Sequence, residues 1–234
     1  MTEQIKKRER DADAAREAIL NAAEEVFAEK GFSGARVDEI RKACGFSNSL
    51  IVHHYFEGKD GLYHAVIRCL KEEKLERLRQ IMTPMGIDED APLQADVVQT
   101  FIEEAVRLSF NHLVQHPNLV RILAWEAAEG WETFNKLQSQ AENGQWSKEV
   151  SAFIRRAQAA GIIRPELDPK MLIATVMSCN FNYLVSLPRY QLLFPGTDLS
   201  SPEALAQARE QIVNLIVHGI LVHPKETLPN ATGL

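Results

Sequence analysis

The stretch GFSGARVDEIRKACGFSNSLIVHHYFEGKDGLY, residues 31 to 63, decides the fold. Counting from Val37, apolar residues follow at i+3 and i+7, which is the spacing of one apolar face on a short helix. Gly45 comes next, where a residue with positive φ commonly ends a helix. Ser47 is a good N-cap, and the apolar residues after it open a second short helix. The stretch therefore predicts two short helices joined by a tight glycine turn.

Such a helix pair suits the DNA major groove, which is about 12 Å wide and accepts one helix while a neighbouring helix crosses the backbone. Ser47, Asn48, Ser49 and His53 are then the side chains that we expect to face base edges. Small polar residues at the start of a helix are also ordinary capping residues. Spacing alone therefore leaves two interpretations open, a DNA reader and a generic helical corner.

Further residues follow in a fixed order over about residues 12 to 66. They are Ala22-Ala23 and Phe27, Gly31-Phe32, Val37 with Ile40, Gly45-Phe46-Ser47, His54-Tyr55-Phe56 and Lys59-Asp60-Gly61-Leu62-Tyr63. As an ordered set they resemble the N-terminal domain of the TetR-type one-component transcriptional regulators. The resemblance implies a DNA-binding protein that responds to a small molecule.

Two arginines depart from the family's pattern. Arg36, like the residue before it, stands where the family usually has Thr or Ser, and Arg41 stands where a small residue is usual. The resemblance places these positions near phosphates, so we expect both arginines to contact phosphate. The segment from Ser47 to the end of the second short helix is also one residue longer than usual, which rotates the later residues of that helix by about 100°. Whether His53 or His54 faces DNA therefore stays open.

The predicted DNA contacts lie in the two short helices and the turns beside them. They are Arg36, Arg41, Ser47, Asn48, Ser49, His53, His54, Tyr55 and Lys59. The whole chain has a net charge of −6, and residues 1–60 contain ten Lys and Arg against twelve Asp and Glu. A cationic DNA surface must therefore arise from where the charges lie. Ahead of the first helix, the cluster Lys6, Lys7, Arg8 and Arg10 is either a flexible arm that reaches DNA or a solvated tail.

The composition predicts a globular protein, and 234 residues are enough for a sizeable core. No apolar run approaches the roughly 18 residues of a membrane span, and the first residues lack the apolar core of a signal peptide. We therefore expect a cytoplasmic location. Cys44, Cys69 and Cys179 are isolated and lack CxxC spacing, which predicts three reduced thiols.

Helical periodicity extends over the rest of the chain, and strand signals are absent. The predicted elements begin with a first helix that ends at Gly31, the two short helices, a turn over 57–61 and a long connecting helix that ends near Pro84. An acidic loop over 85–92, a helix stopped at His116, a helix opened by Pro117 and a helical region over 131–161 with a break at Asn143-Gly144 follow. The chain then continues with a helix from Asp168-Pro169 to Leu187, a loop over 188–201 and a last helix from Pro202. The predicted fold is all-α. A three-helix helix-turn-helix domain with an N-terminal arm occupies residues 1–57, and a larger helical effector-binding and dimerisation bundle occupies residues 58–234.

The last helix carries apolar and small residues on an almost unbroken 3-4-3 spacing, the pattern of a packing seam. They are Leu205, Ala208, Ile212, Leu215, Ile216, Gly219 and Ile220. The partner of this seam is either the preceding long helix of the same chain or the same two helices of a second copy. The resemblance implies the second, since TetR-type proteins usually dimerise through their last two long helices. Two recognition helices on one face of DNA also require a two-fold dimer.

Aromatic and polar residues interleave on the central helices and are candidates for an effector site. They are Phe110, Arg121, Trp125, Trp131, Phe134, Asn180, Phe181 and Tyr183. Aromatic residues at helical spacing also fill the core of any helical bundle, so Trp125, Phe181 and Tyr183 have a plain packing alternative. Asn180 is different, because a buried amide needs hydrogen-bond partners that a ligand, a water or a neighbouring side chain must supply.

Signals for catalysis, cofactors and metals are thin. The sequence has no Gly-rich phosphate loop, no GxSxG and no HExxH motif, so we predict no catalytic residue and no cofactor. His53 and His54 diverge by about 100° on a helix and do not share a metal with His64. His112 and His116 have i, i+4 spacing, but they lack a third ligand nearby in the sequence. They are interpreted as a helix-surface pair, and no metal site is predicted.

The function predicted from the sequence is that of a homodimeric, DNA-binding transcriptional regulator, a repressor that a small-molecule effector releases from its operator. Two alternatives stay open. One is a DNA-binding protein of the same fold that a protein partner controls through the 188–201 segment. The other is an all-α enzyme or carrier in which the helix-turn-helix is only structural. The effector, the operator and the sign of regulation stay open as well.

Overall fold

The computed structural model describes residues 2–47, 50–82, 92–138 and 144–222. In these ranges the chain is helical and contains no β-strand, apart from an isolated bridge between Ile163 and Leu221. The helices are α1 Thr2–Gly34, α2 Val37–Ala43, α3 Leu50–Phe56, α4 Lys59–Met82, α5 Ala95–Gln115, α6 Pro117–Ala128, α7 Glu132–Gln138, α8 Gly144–Ala159, α9 Pro169–Val185, α10 Leu187–Leu193 and α11 Pro202–Ile220. The predicted all-α fold class is confirmed.

Internal contacts divide the chain into two compact units. The first unit comprises residues 1–76 and 112–142, and the second comprises residues 77–111 and 143–234. The divisions fall inside α4 and α5, which contribute to both units. The functional boundary predicted between residues 57 and 58 stays a prediction.

The first unit has its own core, which contains one buried face of α1. Ile19, Ala23 and Phe27 are fully buried there, together with Ile40 of α2 and Val52 of α3. Their spacing on α1 is i, i+4 and i+8, which places them on one side of the helix. This core gives the two short helices a common support.

The N-terminal part of α1 corrects one prediction. The cluster Lys6, Lys7, Arg8 and Arg10 does not precede the first helix, because α1 begins at Thr2. The segment is rich in Lys, Arg, Glu and Ala, which favour helix where nothing in the sequence breaks it. The basic cluster is therefore part of α1 and does not form a separate arm.

Gly31 breaks α1 near the predicted position. Its backbone has φ 69° and ψ 175°, which residues with a side chain rarely adopt, and helical structure continues beyond it to Gly34. A Cβ atom added to Gly31 would lie 3.0 Å from the indole ring of Trp125. Backbone conformation and space therefore both require glycine here.

The turn between α2 and α3 forms as predicted. The amide of Cys44 donates to the carbonyl of Ile40, 3.0 Å away, and Gly45 follows with φ 77°. The helix α3 begins at Leu50, three residues after Ser47, so Ser47 does not hold the N-cap position that the sequence predicted for it. Asn48 and Ser49, both predicted DNA contacts, lie outside the described residues.

Several predicted boundaries are wrong or narrower than expected. The turn after α3 is limited to Glu57 and Gly58, both with positive φ, because α4 already begins at Lys59. The segment 188–201 is not a continuous loop, since α10 occupies its first part with a proline in the first helical turn, where proline is tolerated. The predicted acidic loop and the break at Asn143-Gly144 fall largely on residues 83–91 and 139–143, which lie outside the described residues.

The second unit forms a separate core between α5, α8 and α11. Phe101 and Phe153 meet edge to face with ring centroids 4.7 Å apart, and Val98, Ala157 and Val213 are buried beside them. The helix α9 starts as predicted, because the carboxylate of Asp168 accepts hydrogen bonds from the amides of the second and third helical residues.

The seam predicted on α11 divides into two faces. Ala208, Ile216 and Ile220 are buried within the unit, whereas Leu215 is 75 % exposed. Gly219 is exposed as well, and Leu205 and Ile212 are half-buried. Only the outward part of the seam is therefore available to a second copy.

All three cysteines are free thiols, as predicted.

Helix length and hydropathy bear on whether the chain could cross a bilayer. Within the described ranges, no single helix is both long and apolar enough to do so. The pair α9 and α10 reaches the required length and composition only when taken together, across a bend of 61°.

Candidate nucleic-acid interface and ligand residues

Arg41 braces the turn between α2 and α3. Its guanidinium donates to the carbonyl oxygen of Phe46 (2.7 Å) and, through Nε and Nη2, to Asp38 Oδ1 (2.9 and 2.7 Å). The planar fork of an arginine suits such divided donation, which a lysine could not reproduce. Within this chain Arg41 is therefore committed to the geometry of the turn, a role that the sequence did not reveal.

The other cations near the turn differ in how free they are. Arg36 and Lys42 are exposed, and Lys42 pairs with the second oxygen of Asp38 at 2.7 Å. Hydrogen bonds from Lys42 and Arg41 hold the pKa of Asp38 below its usual value. The ammonium of Lys59 lies 4.5 Å from the ring centroid of Phe32, and burial lowers its pKa. Arg36 and Lys42 are thus the most accessible cations of α2 and its cap.

Four further predicted contacts lie in α3 or before it. Ser47, His53 and His54 are exposed, so their side chains are accessible to a ligand on that face. Tyr55 is half-buried and packs against the core of the first unit. Because successive residues diverge by about 100°, His53 and His54 cannot both point along one direction.

A buried polar link joins α4 to α6 in the first unit. The hydroxyl of Tyr63 donates to Glu126 Oε1 at 2.6 Å, and both residues are 1 % exposed. The second carboxylate oxygen of Glu126 accepts from the amide of Phe134 at 3.0 Å. Burial and the hydrogen bond to Glu126 raise the pKa of Tyr63 well above its ordinary range, so the hydroxyl stays protonated.

The same helix α6 also packs on α1. The indole of Trp125 lies against Gly31 and donates to the carbonyl of Ala28 at 3.3 Å. Asn118 donates to Glu24, and Ser33 donates to Glu129. Helix α6 therefore contacts α1 directly through both apolar and polar side chains.

Four of the eight predicted effector residues belong to this first unit. The indole of Trp125 packs against Gly31 of α1. Trp131 and Phe134 meet edge to face, with ring centroids 5.7 Å apart. Arg121 is exposed. Their predicted role in effector binding stays a prediction.

The other four predicted effector residues lie in the second unit. Asn180 is fully buried, and its amide nitrogen lies 3.4 Å from the carbonyl of Val106. Its Oδ1 has no hydrogen-bond partner among the described residues. Phe110, also buried, lies 6.0 Å from the ring of Tyr183, and Phe181 is half-buried. An acceptor inside an aromatic cluster is a feature that a donor-bearing ligand fits.

A different concavity of about 210 Å³ lies between α8 and α9. Its lining is largely cationic and hydroxylic: Ser147, Lys148, Ser151, Arg155, Lys170 and Ile173. None of the predicted effector residues contributes to it.

His112 and His116 do not form the predicted surface pair. His112 is 1 % exposed, and its ring centroid lies 4.5 Å from that of His116. Glu73 of α4 supplies the acidic neighbour that the local sequence lacks, with Oε2 3.2 Å from His116 Nε2. A separation of about forty residues along the chain hid this neighbour from pattern analysis.

Comparison with protein families gives two matches that together cover most of the chain. Residues 19–66 match the profile of the bacterial regulatory proteins of the tetR family. Residues 99–216 match a tetracyclin repressor-like C-terminal domain.

Comparison with individual proteins agrees. The chain is 27 % identical to the HTH-type transcriptional repressor NicS of Pseudomonas putida, over 91 % of this chain and 95 % of that protein. It is 28 % identical to the HTH-type transcriptional regulator RutR of Escherichia coli O157:H7, over 92 % and 94 %.

Two solved structures share the fold at lower identity. The ketosteroid transcriptional regulator KstR2 of Mycobacterium tuberculosis superposes with a TM-score of 0.62 at 20 % identity, over 89 % of this chain and 95 % of that one. The regulator FadR of Bacillus subtilis, in complex with stearoyl-CoA, superposes with a TM-score of 0.60 at 16 % identity, over 88 % and 98 %.

Proposed function

Since the chain belongs to the tetR family of bacterial regulatory proteins, whose members are transcriptional regulators, we propose that it is a homodimeric repressor that a small molecule releases from its operator. The exposed cations and polar side chains of α2 and α3 carry the DNA-binding part of the proposal. The relative NicS is a transcriptional repressor, which supports the sign of regulation that we propose. We propose no enzymatic activity, and we propose a cytoplasmic location because bacterial chromosomal DNA lies in the cytoplasm.

The DNA contacts that we propose fall into two classes. Arg36 and Lys59 neutralise phosphate, which adds affinity for any sequence. Ser47, Asn48, Ser49 and one of His53 or His54 meet base edges from the start of the recognition helix. Arg41 acts on both classes, since it holds the turn from which the recognition helix departs.

The proposed dimer uses the outward faces of α9 and α11. Met171, Met177 and Leu215 are 66 %, 50 % and 75 % exposed in the single chain. Apolar side chains on the last two long helices are costly in water and are covered when a second copy packs its own α9 and α11 on them. A protein partner on Leu192, Leu193 and Phe194, which are 82 %, 59 % and 59 % exposed, is the second candidate.

The proposed effector site is centred on Asn180, with Phe110 and Tyr183 as aromatic walls. The effector donates a hydrogen bond to Asn180 Oδ1, which has no partner among the described residues. The structure of FadR, which shares the fold, contains bound stearoyl-CoA. This complex supports regulation by a small molecule but leaves the chemistry of the effector of this chain open.

The DNA part is tested with DNA selected from a random pool by the untagged protein. A repressor yields one enriched palindromic sequence, because a two-fold dimer reads two equal half-sites about 34 Å apart. If no sequence is enriched at any salt concentration, the result would contradict a sequence-specific repressor and favour the interpretation of the helix pair as a generic helical corner. Light scattering of the protein–DNA complex gives the number of chains for each site.

The effector part is tested with Asn180→Ala and with Asn182→Ala as the matched control, an exposed asparagine two residues further along the same helix. A compound that raises the melting temperature of the wild type is titrated against the operator complex. We expect Asn180→Ala to weaken the compound about 10-fold, the effect of one lost hydrogen bond, and Asn182→Ala to leave it unchanged. Equal responses of both variants would move the site away from Asn180.

A further inference from the structure

Three side chains with metal-ligand chemistry meet in the first unit. Glu73 lies in α4, His112 lies in the last turn of α5, and His116 caps the start of α6. Each residue offers one ligand atom, and these atoms lie within 4.8 Å of one another.

The spacing of these atoms is close to what one ion requires. Zinc binds imidazole nitrogen and carboxylate oxygen at about 2.0–2.2 Å in a tetrahedron, so neighbouring ligand atoms stand about 3.3 Å apart. Glu73 Oε2 and His116 Nε2 are 3.2 Å apart. The third ligand atom, on His112, lies within 4.8 Å of the other two, so a movement of at most about 1.5 Å by the partly exposed side chains of Glu73 and His116 brings all three to the same separation.

We propose that Glu73, His112 and His116 form a binding site for one divalent transition-metal ion. Two imidazoles and one carboxylate suit zinc and its neighbours in the first transition row, whereas magnesium and calcium prefer oxygen ligands alone. Three protein ligands leave a fourth position for water or for another donor. The proposal concerns the single chain and does not depend on DNA binding or on an effector.

Burial gives the cluster one rigid ligand and two accessible ones. His112 is 1 % exposed, while the side chains of His116 and Glu73 are 22 % and 38 % exposed. An ion can therefore enter from solvent on the side of Glu73. The amide of His116 also donates to the carbonyl of His112 at 3.0 Å, so the backbone fixes the two histidines relative to each other.

A plain ion pair between protonated His116 and Glu73 is the competing explanation. That explanation gives His112 no part and predicts no affinity for metal. Metal binding instead requires all three residues and joins α4 to the corner between α5 and α6. An ion that binds only the folded chain also raises its melting temperature.

The experiment uses the untagged full chain, freed of metal with EDTA, and zinc as the probe in isothermal titration calorimetry. We expect one zinc per chain with a dissociation constant in the micromolar range or tighter. Cobalt is the second probe, since tetrahedral cobalt absorbs visible light more strongly than the hydrated ion. Far-UV circular dichroism confirms that each variant is folded.

Glu73→Gln and His116→Gln are the decisive variants, because both side chains are partly exposed. We expect each substitution to weaken the affinity for zinc by at least roughly 10- to 100-fold, which is the loss typical when only a supporting contact of a ligand is removed. Glu72→Gln is the matched control, an exposed neighbour that faces Arg68 at 3.7 Å, and it keeps wild-type affinity. His112→Gln extends the series to the buried ligand.

Two results would overturn the site. One is wild-type protein that shows neither heat of zinc binding nor a raised melting temperature at roughly 100 µM zinc. The other is zinc affinity that Glu73→Gln or His116→Gln leaves unchanged. Either result would leave the His116–Glu73 contact as an ordinary ion pair.

Discussion

The two units of the chain differ in how far they complete their own interactions. In the first unit, Glu126 is buried with both carboxylate oxygens occupied, and Arg41 is surrounded by acceptors from its own turn. In the second unit, Leu215 stands in solvent and Asn180 Oδ1 lacks a partner among the described residues. We infer a division of roles from this difference. The paired groups hold the helices of the first unit together, whereas the exposed leucine and the unpaired acceptor of the second unit are open to a second copy and to an effector.

The largest expected effect comes from Leu215→Glu. The side chain is 75 % exposed in the single chain, so a carboxylate there leaves the monomer folded. In the proposed dimer it would be buried without a counter-charge, at a cost of about 3 kcal/mol or more, which weakens dimerisation about 100-fold or more. Light scattering should give twice the chain mass of 26.3 kDa for the wild type and a single chain for the variant.

Gln207→Glu is the control for that substitution, since it adds the same charge at an exposed polar position of α11. Ile212→Glu is less informative, because Ile212 packs against the core of its own unit and the variant could unfold for that reason. A wild-type protein that scatters as a monomer at micromolar concentration would contradict the proposed division of roles.

The next effect tests self-sufficiency in the first unit. Tyr63→Phe removes the donor to a buried carboxylate, and we expect the free energy of unfolding to fall by about 2 kcal/mol. Tyr55→Phe removes the same atom from a half-buried ring and should cost less. Urea denaturation of both variants measures the difference, and equal losses would show that the link from α4 to α6 contributes little.

The same tyrosine gives a pH dependence. The pKa of Tyr63 is raised in the folded chain above its ordinary value of 10.0, so its contribution is complete below pH 10. Above pH 10 the unfolded chain loses the proton while the folded chain retains it, and stability therefore falls as the pH rises. Denaturation curves between pH 9 and about 11 should show this loss in the wild type and lack it in Tyr63→Phe.

The smallest expected effect separates the hydrogen bond of Arg41 to the turn between α2 and α3 from the ion pairs of Arg41 and Lys42 with Asp38. Arg41→Ala and Lys42→Ala each remove one cation that pairs with Asp38. Only Arg41→Ala also removes the hydrogen bond to Phe46, so it should lower the free energy of unfolding by about 1 kcal/mol, against almost none for Lys42→Ala. Operator titrations over a salt series show whether either cation also contacts phosphate, since each lost contact lowers the salt slope by about 1.

Sequence patterns predicted those features that depend on neighbouring residues. The stop at Gly45, the cap at Asp168 and the start of α6 at Pro117 are each set by one or two residues, and each is found in the structure. Local rules suffice there because a turn or a cap is made within about four residues.

Features that depend on distant partners were missed. Nothing in the sequence around Glu126 points to its buried partner, because Tyr63 lies 63 residues away along the chain. His112 was placed on a surface for the same reason. The helix α10 was missed because proline and aromatic residues are typical of loops, although a proline in the first turn does not prevent a helix.

Two separate constraints act on Gly31, the ring of Trp125 and its own backbone conformation. A smaller residue at position 125 would remove the ring that excludes a Cβ at position 31, but the backbone there, with φ 69°, would still disfavour any residue with a side chain. A change at position 125 therefore meets no backbone obstacle of this kind, whereas Gly31 stays constrained by its own backbone even after Trp125 has changed. Among functional variants obtained by random mutagenesis, diversity should accumulate at position 125 while position 31 stays glycine, because the order in which two neighbouring positions can change is fixed by the backbone of one of them.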